Sequence, residues 1–194
     1  SRVQELADAF HAEGKLLSIA VHPKTDDNGT WGGPQAQDYA RLGAAVDMFK
    51  VMTYDFSWST SEAGPIAPVA WAHDVIAYAT SQVPEEKVYL GIPFYAYDWL
   101  GAVGESKVWN QVSVLLGRHK PEVKRDESNE GHFVYGDYRP RTVYFADAQA
   151  LAERLALVAA RHPDLAGLAI WRLGGEDPQN WAMIRHWQHQ RAAD

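Results

Sequence analysis

The sequence predicts an α/β protein in which parallel strands alternate with crossover helices at the spacing of an eight-fold βα barrel. Three observations carry this. Four short apolar runs, Leu16–Val21, Val46–Tyr54, Val88–Phe94 and Leu165–Trp171, have the composition of strands buried on both faces. Amphipathic helices fall between them, an alternation that implies parallel pairing with right-handed connections. The strand centres step by about 31, 41 and 77 residues, whereas a barrel of about 250 residues averages about 31 per unit. The last step therefore holds one unit plus an insertion. Four units make half of such a barrel, and a small doubly wound sheet is the alternative. No G-x-G-x-x-G or phosphate loop follows any strand, so a nucleotide-binding version has no support.

Each element has its own local reason. Val3, Leu6, Ala7 and Phe10 repeat at i, i+3, i+4, i+7 and predict a helix ended by Gly14. After the first strand, Pro23, Asp26, Asn28, Gly29, Gly32 and Pro34 mark a long turn-rich loop, in which Asn28-Gly29-Thr30 reads as a turn rather than a glycosylation site. Gln37–Gly43 is a brief helix. Pro68–Gln82 puts Trp71, Ala72, Val75, Ile76 and Ala79 on one helical face. The insertion reads as a small α+β unit, with a helix around Val108–Leu116 and strand-like pieces at Glu122–Arg125, His132–Tyr135 and Thr142–Phe145. Ala148, Leu151, Ala152, Leu155, Val158 and Ala159 make the clearest helix of the chain. Asp177 then caps a last helix with Pro178 at its first position. The division that follows is a barrel part over 1–100, the insertion over 101–146 and a final βα unit over 147–194.

At 194 residues, 46% hydrophobic and 22% charged, the composition is that of an ordinary globular chain. The net charge of −7 argues against nucleic acid as a partner. No apolar run approaches the roughly 20 residues of a membrane span, and Ser1–Phe10 shows no charged-then-apolar leader. A trimmed secreted chain looks the same, so compartment stays open at this point. The absence of cysteine removes disulfides, thiolate metal sites and cysteine nucleophiles together. Trp 8 and Tyr 9 are the oddity, because aromatic faces fill cores and also stack on pyranose rings.

Function in parallel α/β folds collects where strands end. Those ends read His22-Pro23-Lys24, Met52-Thr53-Tyr54-Asp55, Pro93-Phe94-Tyr95-Ala96-Tyr97-Asp98-Trp99 and Trp171-Arg172-Leu173-Gly174-Gly175-Glu176-Asp177. Aromatics and carboxylates dominate, as a carbohydrate cleft requires. Here the chain resembles glycoside hydrolase family 18, the chitinase-like (β/α)8 barrels. Met52-x-Tyr54-Asp55 is similar to the M-x-Y-D motif ending that family's sixth strand. Gly91-Ile92-Pro93-Phe94-Tyr95 resembles its seventh strand and Ala169-Ile170-Trp171 its eighth, and an α+β insertion between those two strands is also familiar there. Ser61–Pro68, Gly91–Trp99 and Trp171–Pro178 look closest to bacterial members that act on peptidoglycan or related N-acetylglucosamine polymers. The resemblance spans nearly the whole chain, and the pieces occur in order at barrel spacing.

The resemblance implies hydrolysis assisted by the substrate, in which the sugar's own N-acetyl oxygen attacks the anomeric carbon while a glutamate protonates the leaving oxygen. It implies catalytic roles for Tyr54, which would hold the acetyl oxygen, and Asp55, which would sit beside the glutamate and tune it. Trp171 would floor the sugar subsite at the cleavage point, and Met52, Tyr95, Tyr97 and Arg172 would complete the substrate-binding surface. Read by themselves, Tyr54 ends a strand as a packed aromatic and Asp55 caps a turn. Trp171 and Met52 are then core filling, and Arg172 pairs with Glu176 or Asp177. Tyr95, Tyr97 and Trp99 alternate, so some face the cleft and others pack beneath loops.

One departure stands against these matches. The family's acid belongs to D-x-x-D-x-D-x-E at the end of the fourth strand, and no such motif occurs here. Ser1 falls about where the following helix begins. The expectation is therefore a C-terminal half-barrel without its first four strands and catalytic glutamate, inactive by itself. A non-catalytic, chitinase-like lectin is the alternative, favoured if Gln or Leu stands in place of that glutamate in the parent gene. The expected partners are oligo- or polysaccharides containing N-acetylglucosamine, and either the complementary half-barrel or a second copy of this chain. Neither nucleic acid nor a membrane is expected. The full-length protein is expected to be secreted or in the cell envelope. No cofactor and no metal is implied; His186 and His189 are spaced i, i+3 on the last helix, and His22 near Asp55 or Asp98 is the best metal case the sequence offers.

Overall fold

The structure is a computed structural model, described over residues 2–192. In chain order its elements are α1 (Arg2–Ala12), β1 (Ser18–Val21), α2 (Gly32–Gln35), α3 (Tyr39–Ala45), β2 (Met48–Val51), α4 (Val69–Gln82), β3 (Val88–Pro93), β4 (Ala96–Leu100), β5 (Val103–Lys107), α5 (Trp109–His119), β6 (Lys124–Arg125), β7 (Gly131–Tyr135), β8 (Arg141–Phe145), α6 (Ala148–Arg161), β9 (Gly167–Trp171) and α7 (Asn180–Arg191). They form an α/β fold of two compact units. The first comprises Ser1–Thr53, His73–Ile92 and Asp164–Ala169, and the second Tyr54–Ala72, Pro93–Pro163 and Ile170–Asp194.

The first unit is built on a four-stranded sheet in the order β1-β2-β3-β9. β1 pairs with β2 in parallel, Val21 opposite Val51, and β2 pairs with β3 in parallel, Phe49 opposite Val88. Val21, Phe49, Val51, Val88 and Leu90 are buried, as are Val75, Ile76 and Ala79 of α4. Gly91 permits a close approach of strands: a Cβ there would lie 2.3 Å from the carbonyl oxygen of Val51 and 2.7 Å from the amide nitrogen of Thr53. Only glycine lets β3 lie so near the backbone that leads into Tyr54.

Two expectations change here. Leu16–Val21 is not buried on both faces: Leu16 is 65% exposed, and Ser18 and Ala20, which share one face of β1, are exposed while Val21 on the other face is buried. Nor is β9, which is half-buried over Gly167–Ile170 and exposed at Trp171. A short apolar run carries no information about how many layers cover it. The brief helix expected at Gln37–Gly43 is α3, shifted by two residues and capped by Asp38, whose carboxylate accepts from the Arg41 amide at 3.0 Å; the expected loop before it holds the short α2.

The second unit holds a five-stranded sheet in the order β5-β4-β8-β7-β6, with antiparallel pairing throughout. Ala96, Val112, Phe133, Val143 and Phe145 form its core, with Trp109, Leu115 and Leu116 of α5 packed against it. The hairpin β4–β5 is where the sequence reading expected cleft loop. Its alternation, Ala96 and Asp98 on one face with Tyr97 and Trp99 on the other, has the period of a strand. Asp98 is buried, accepting from the Tyr135 hydroxyl at 2.8 Å and the Arg141 Nε at 2.8 Å.

In the same unit α6 packs on α7. α6 is capped by Asp147 through the Ala150 amide at 3.1 Å. α7 begins at Asn180 rather than Pro178. Asp177 accepts from the amides of Gln179 and Ala148, each at 3.0 Å. It therefore ties a turn to the start of α6 instead of starting the last helix. No helix among the described residues is long and apolar enough to cross a membrane.

Candidate active site

Tyr54, Asp55, Tyr95, Tyr97, Trp171 and Arg172 all lie in the second unit, whereas Met52 lies in the first. Asp55 follows β2 with φ 59°, a left-handed conformation that Asp tolerates better than most residues. Its Oδ1 accepts from the Tyr95 hydroxyl at 2.5 Å and from the Tyr97 hydroxyl at 3.2 Å. Among the described residues, none donates to Oδ2. The Tyr54 ring meets Tyr95 edge-on with centroids 6.1 Å apart, and Tyr95 meets Tyr97 edge-on at 5.5 Å. Trp99 continues the row at 5.3 Å from Tyr97.

These phenols are held neutral. Burial pushes the Tyr54 hydroxyl up, and the charge of Asp55 adds to it. Tyr95 moves the same way, by burial first and then by the carboxylate it faces. Tyr97 is pushed up to about 12 for the same reasons in the same order. All three are hydrogen-bond donors at neutral pH. The arrangement presents one carboxylate, fixed by two donors on one oxygen, beside a third protonated phenol.

Trp171 ends β9 and is 57% exposed, while its carbonyl oxygen accepts from the Phe94 amide at 2.7 Å. The peptide bond from Trp171 to Arg172 is cis. Arg172 is exposed, and among the described residues it makes no ion pair. Glu176 instead accepts from the Gly174 amide at 2.7 Å and the Trp181 indole at 3.1 Å, and Asp177 is engaged as described above. The pairing of Arg172 with either carboxylate is thus replaced by backbone and indole donors. Met52 is half-buried and donates its amide to the Val21 carbonyl at 2.9 Å.

The sequence reading passed over Trp58. Its ring is exposed, its indole donates to Thr60 Oγ1 at 2.8 Å, and its carbonyl accepts from the Trp99 indole at 3.2 Å. A tryptophan three residues beyond Asp55, on a polar loop, was the available signal. His22 meets Trp31 at a tilt of 58° with centroids 4.9 Å apart, and Asp98 is committed to Tyr135 and Arg141. Among the described residues, no three His, Asp or Glu side chains converge as a metal site would require.

The chain belongs to the glycosyl hydrolases family 18, whose family model matches residues 1–176. It is 30% identical to the cortical fragment-lytic enzyme of Bacillus subtilis, over 94% of this chain and 44% of that protein. Among solved structures it is similar to a chitinase from Chromobacterium violaceum, with a TM-score of 0.89 and 30% identity, covering 96% of this chain and 59% of that one. The spore cortex-lytic enzyme SleL of Bacillus megaterium matches with a TM-score of 0.85 and 28% identity, over 94% of this chain and 43% of that one. The chain thus spans under half the length of the Bacillus subtilis enzyme it matches.

Proposed function

We propose that this chain is the C-terminal half of a family 18 (β/α)8 barrel, with an insertion that includes 101–146, that hydrolyses β-linked N-acetylglucosamine polymers, chitin or the glycan of peptidoglycan. The observation that carries the reading is the cluster at Asp55: a carboxylate held by Tyr95 and Tyr97, with the protonated Tyr54 beside it. The family membership and the named relatives, a cortical fragment-lytic enzyme and a chitinase, support the substrate class. In this reading Tyr54 donates to the N-acetyl oxygen of the substrate and holds it for attack on the anomeric carbon. The bond from that carbon to the leaving oxygen breaks, and the leaving oxygen takes a proton from an acid. The acid itself lies outside these 194 residues, which contain no D-x-x-D-x-D-x-E. Asp55 stands beside it with Oδ2 open, and its negative charge raises the acid's proton affinity. Trp171 floors the sugar, and Arg172 borders it.

Exposed apolar side chains support the half-barrel reading. Leu6 and Phe10 of α1, Leu16, Trp171 and Leu173 are all open to water. Covering such area is worth about 25 cal/mol per Å², so the chain is expected to associate with the complementary half or with a second copy of itself. Light scattering at micromolar concentration tests this, and a clean monomer overturns it. A cell-envelope or secreted setting for the whole protein goes with the substrate.

The activity reading is tested by titrating a chitin oligosaccharide into the chain and into Trp171→Ala, alongside an assay for reducing ends. Binding weakened about tenfold in the variant, with no turnover by the chain alone, is expected, since losing a general acid costs about 10²–10⁴-fold. Turnover at a family-like rate by these 194 residues overturns the placement of the acid. An unchanged affinity removes Trp171 from the sugar site. With the complementary half supplied, binding without turnover favours a lectin.

A further inference from the structure

The loop that follows Asp55 is anchored at its far end by a buried ion pair. Glu130, fully buried just before β7, accepts from the Ile66 amide on Oε2 at 2.7 Å and from the Ala67 amide on Oε1 at 2.8 Å. Arg154 of α6, also buried, donates through Nη2 to the same Oε1 and to the Ala67 carbonyl, the latter at 2.6 Å, while its Nε reaches that carbonyl at 3.2 Å. The near end of the loop is closed onto the anchored residues. The Phe56 amide donates to the Ile66 carbonyl at 2.8 Å, and the Ser57 amide to the Pro65 carbonyl at 3.1 Å. Ile66 therefore touches Glu130 through its amide and the residue after Asp55 through its carbonyl. A short run of hydrogen bonds leads from α6 to the backbone that carries the Asp55 carboxylate.

A buried ion pair is weak evidence for stability, because desolvation of both charges offsets their attraction. Three donors on one carboxylate, two of them loop amides, instead specify where that loop lies. We propose that Glu130 and Arg154 are positioning residues. Through Ile66 and Phe56 they hold Asp55 in its left-handed conformation, with Oδ1 within reach of the Tyr95 and Tyr97 hydroxyls. The inference rests on the geometry around Asp55 and stands whatever the substrate is.

The test reads the tyrosines rather than stability. In protein labelled with carbon-13 at tyrosine Cζ, the signals of Tyr95 and Tyr97 are assigned from Tyr95→Phe and Tyr97→Phe, and their displacement in Asp55→Ala gives the scale for loss of the carboxylate. The double variant Glu130→Met/Arg154→Met removes both charges at similar volume and is expected to fold. In it the two signals are expected to move toward their Asp55→Ala positions by at least half the full displacement, while the other tyrosine signals stay. Exchange of the Phe56 and Ser57 amides is expected to quicken at least tenfold. Arg154→Lys keeps the charge and serves if the double variant does not fold; it is expected to move the same two signals a smaller distance in the same direction. A folded variant with both signals at their wild-type positions, whatever its melting temperature, overturns the proposal and leaves the pair a stability element alone.

Discussion

The Tyr95 hydroxyl donates to Asp55 Oδ1 across 2.5 Å, joining the second residue after β3 to a carboxylate beyond the end of β2. Tyr97 adds a longer bond to the same oxygen. Both tyrosines are therefore oriented by the carboxylate, and each hydroxyl has a measurable share in holding it.

Tyr95→Phe leaves the ring packed and removes one bond to a charged group, an interaction worth about 1.5–3 kcal/mol. Because Asp55 keeps contact with water, the expected cost is near the lower end, about 1.5 kcal/mol by urea unfolding. Tyr97→Phe is expected to cost less, since its bond is longer and its ring less buried. Equal losses would show that the distances do not rank the two bonds.

The same pair sets an alkaline dependence. Tyr97 ionises near 10.0 when unfolded and at about 12 when folded, raised by burial and then by Asp55. The folded state therefore holds its proton longer. The resulting stabilisation is complete below about pH 10 and is lost as pH rises toward about 12. Between those values the wild-type melting temperature is expected to fall more steeply than that of Tyr97→Phe. Parallel curves would show that Tyr97 does not carry this dependence.

Gly91→Ala places a methyl group 2.3 Å from the Val51 carbonyl oxygen. Backbone on both sides must move, and the expected cost is about 3 kcal/mol, at the upper end for overpacking. Thermal unfolding of the purified variant checks it. A change under about 1 kcal/mol would mean that β3 shifts freely at this point.

Arg141→Ala leaves the buried Asp98 carboxylate with the Tyr135 hydroxyl but without its cation. Removing one member of a buried pair costs about 3–5 kcal/mol, and Arg141 keeps some solvent contact, so about 3 kcal/mol is expected. Asp98→Asn in the same background should recover part of it, because it removes the stranded charge. Failure to recover would place the effect of Arg141 in packing along its stem.

The periodicities of α1, α4 and α6, the apolar runs of β2, β3 and β9, and the ordered pieces Met52-Thr53-Tyr54-Asp55 and Ala169-Ile170-Trp171 were legible in the sequence, because each is a pattern within a dozen neighbouring residues. Only the tertiary structure decided that Tyr95 and Tyr97 converge on one oxygen of Asp55, that Ala96–Leu100 is a strand rather than a loop, that Asp177 bridges to Ala148, and that Glu130 and Arg154 meet at Ile66 and Ala67. Glu130 and Arg154 lie 24 residues apart, and Glu130 lies 64 from Ile66. A charged residue within an amphipathic pattern looks alike whether it ends in water or in a buried pair. The difference between those fates is the desolvation of a charge against the partners that meet it, and those partners are assembled only when distant segments pack.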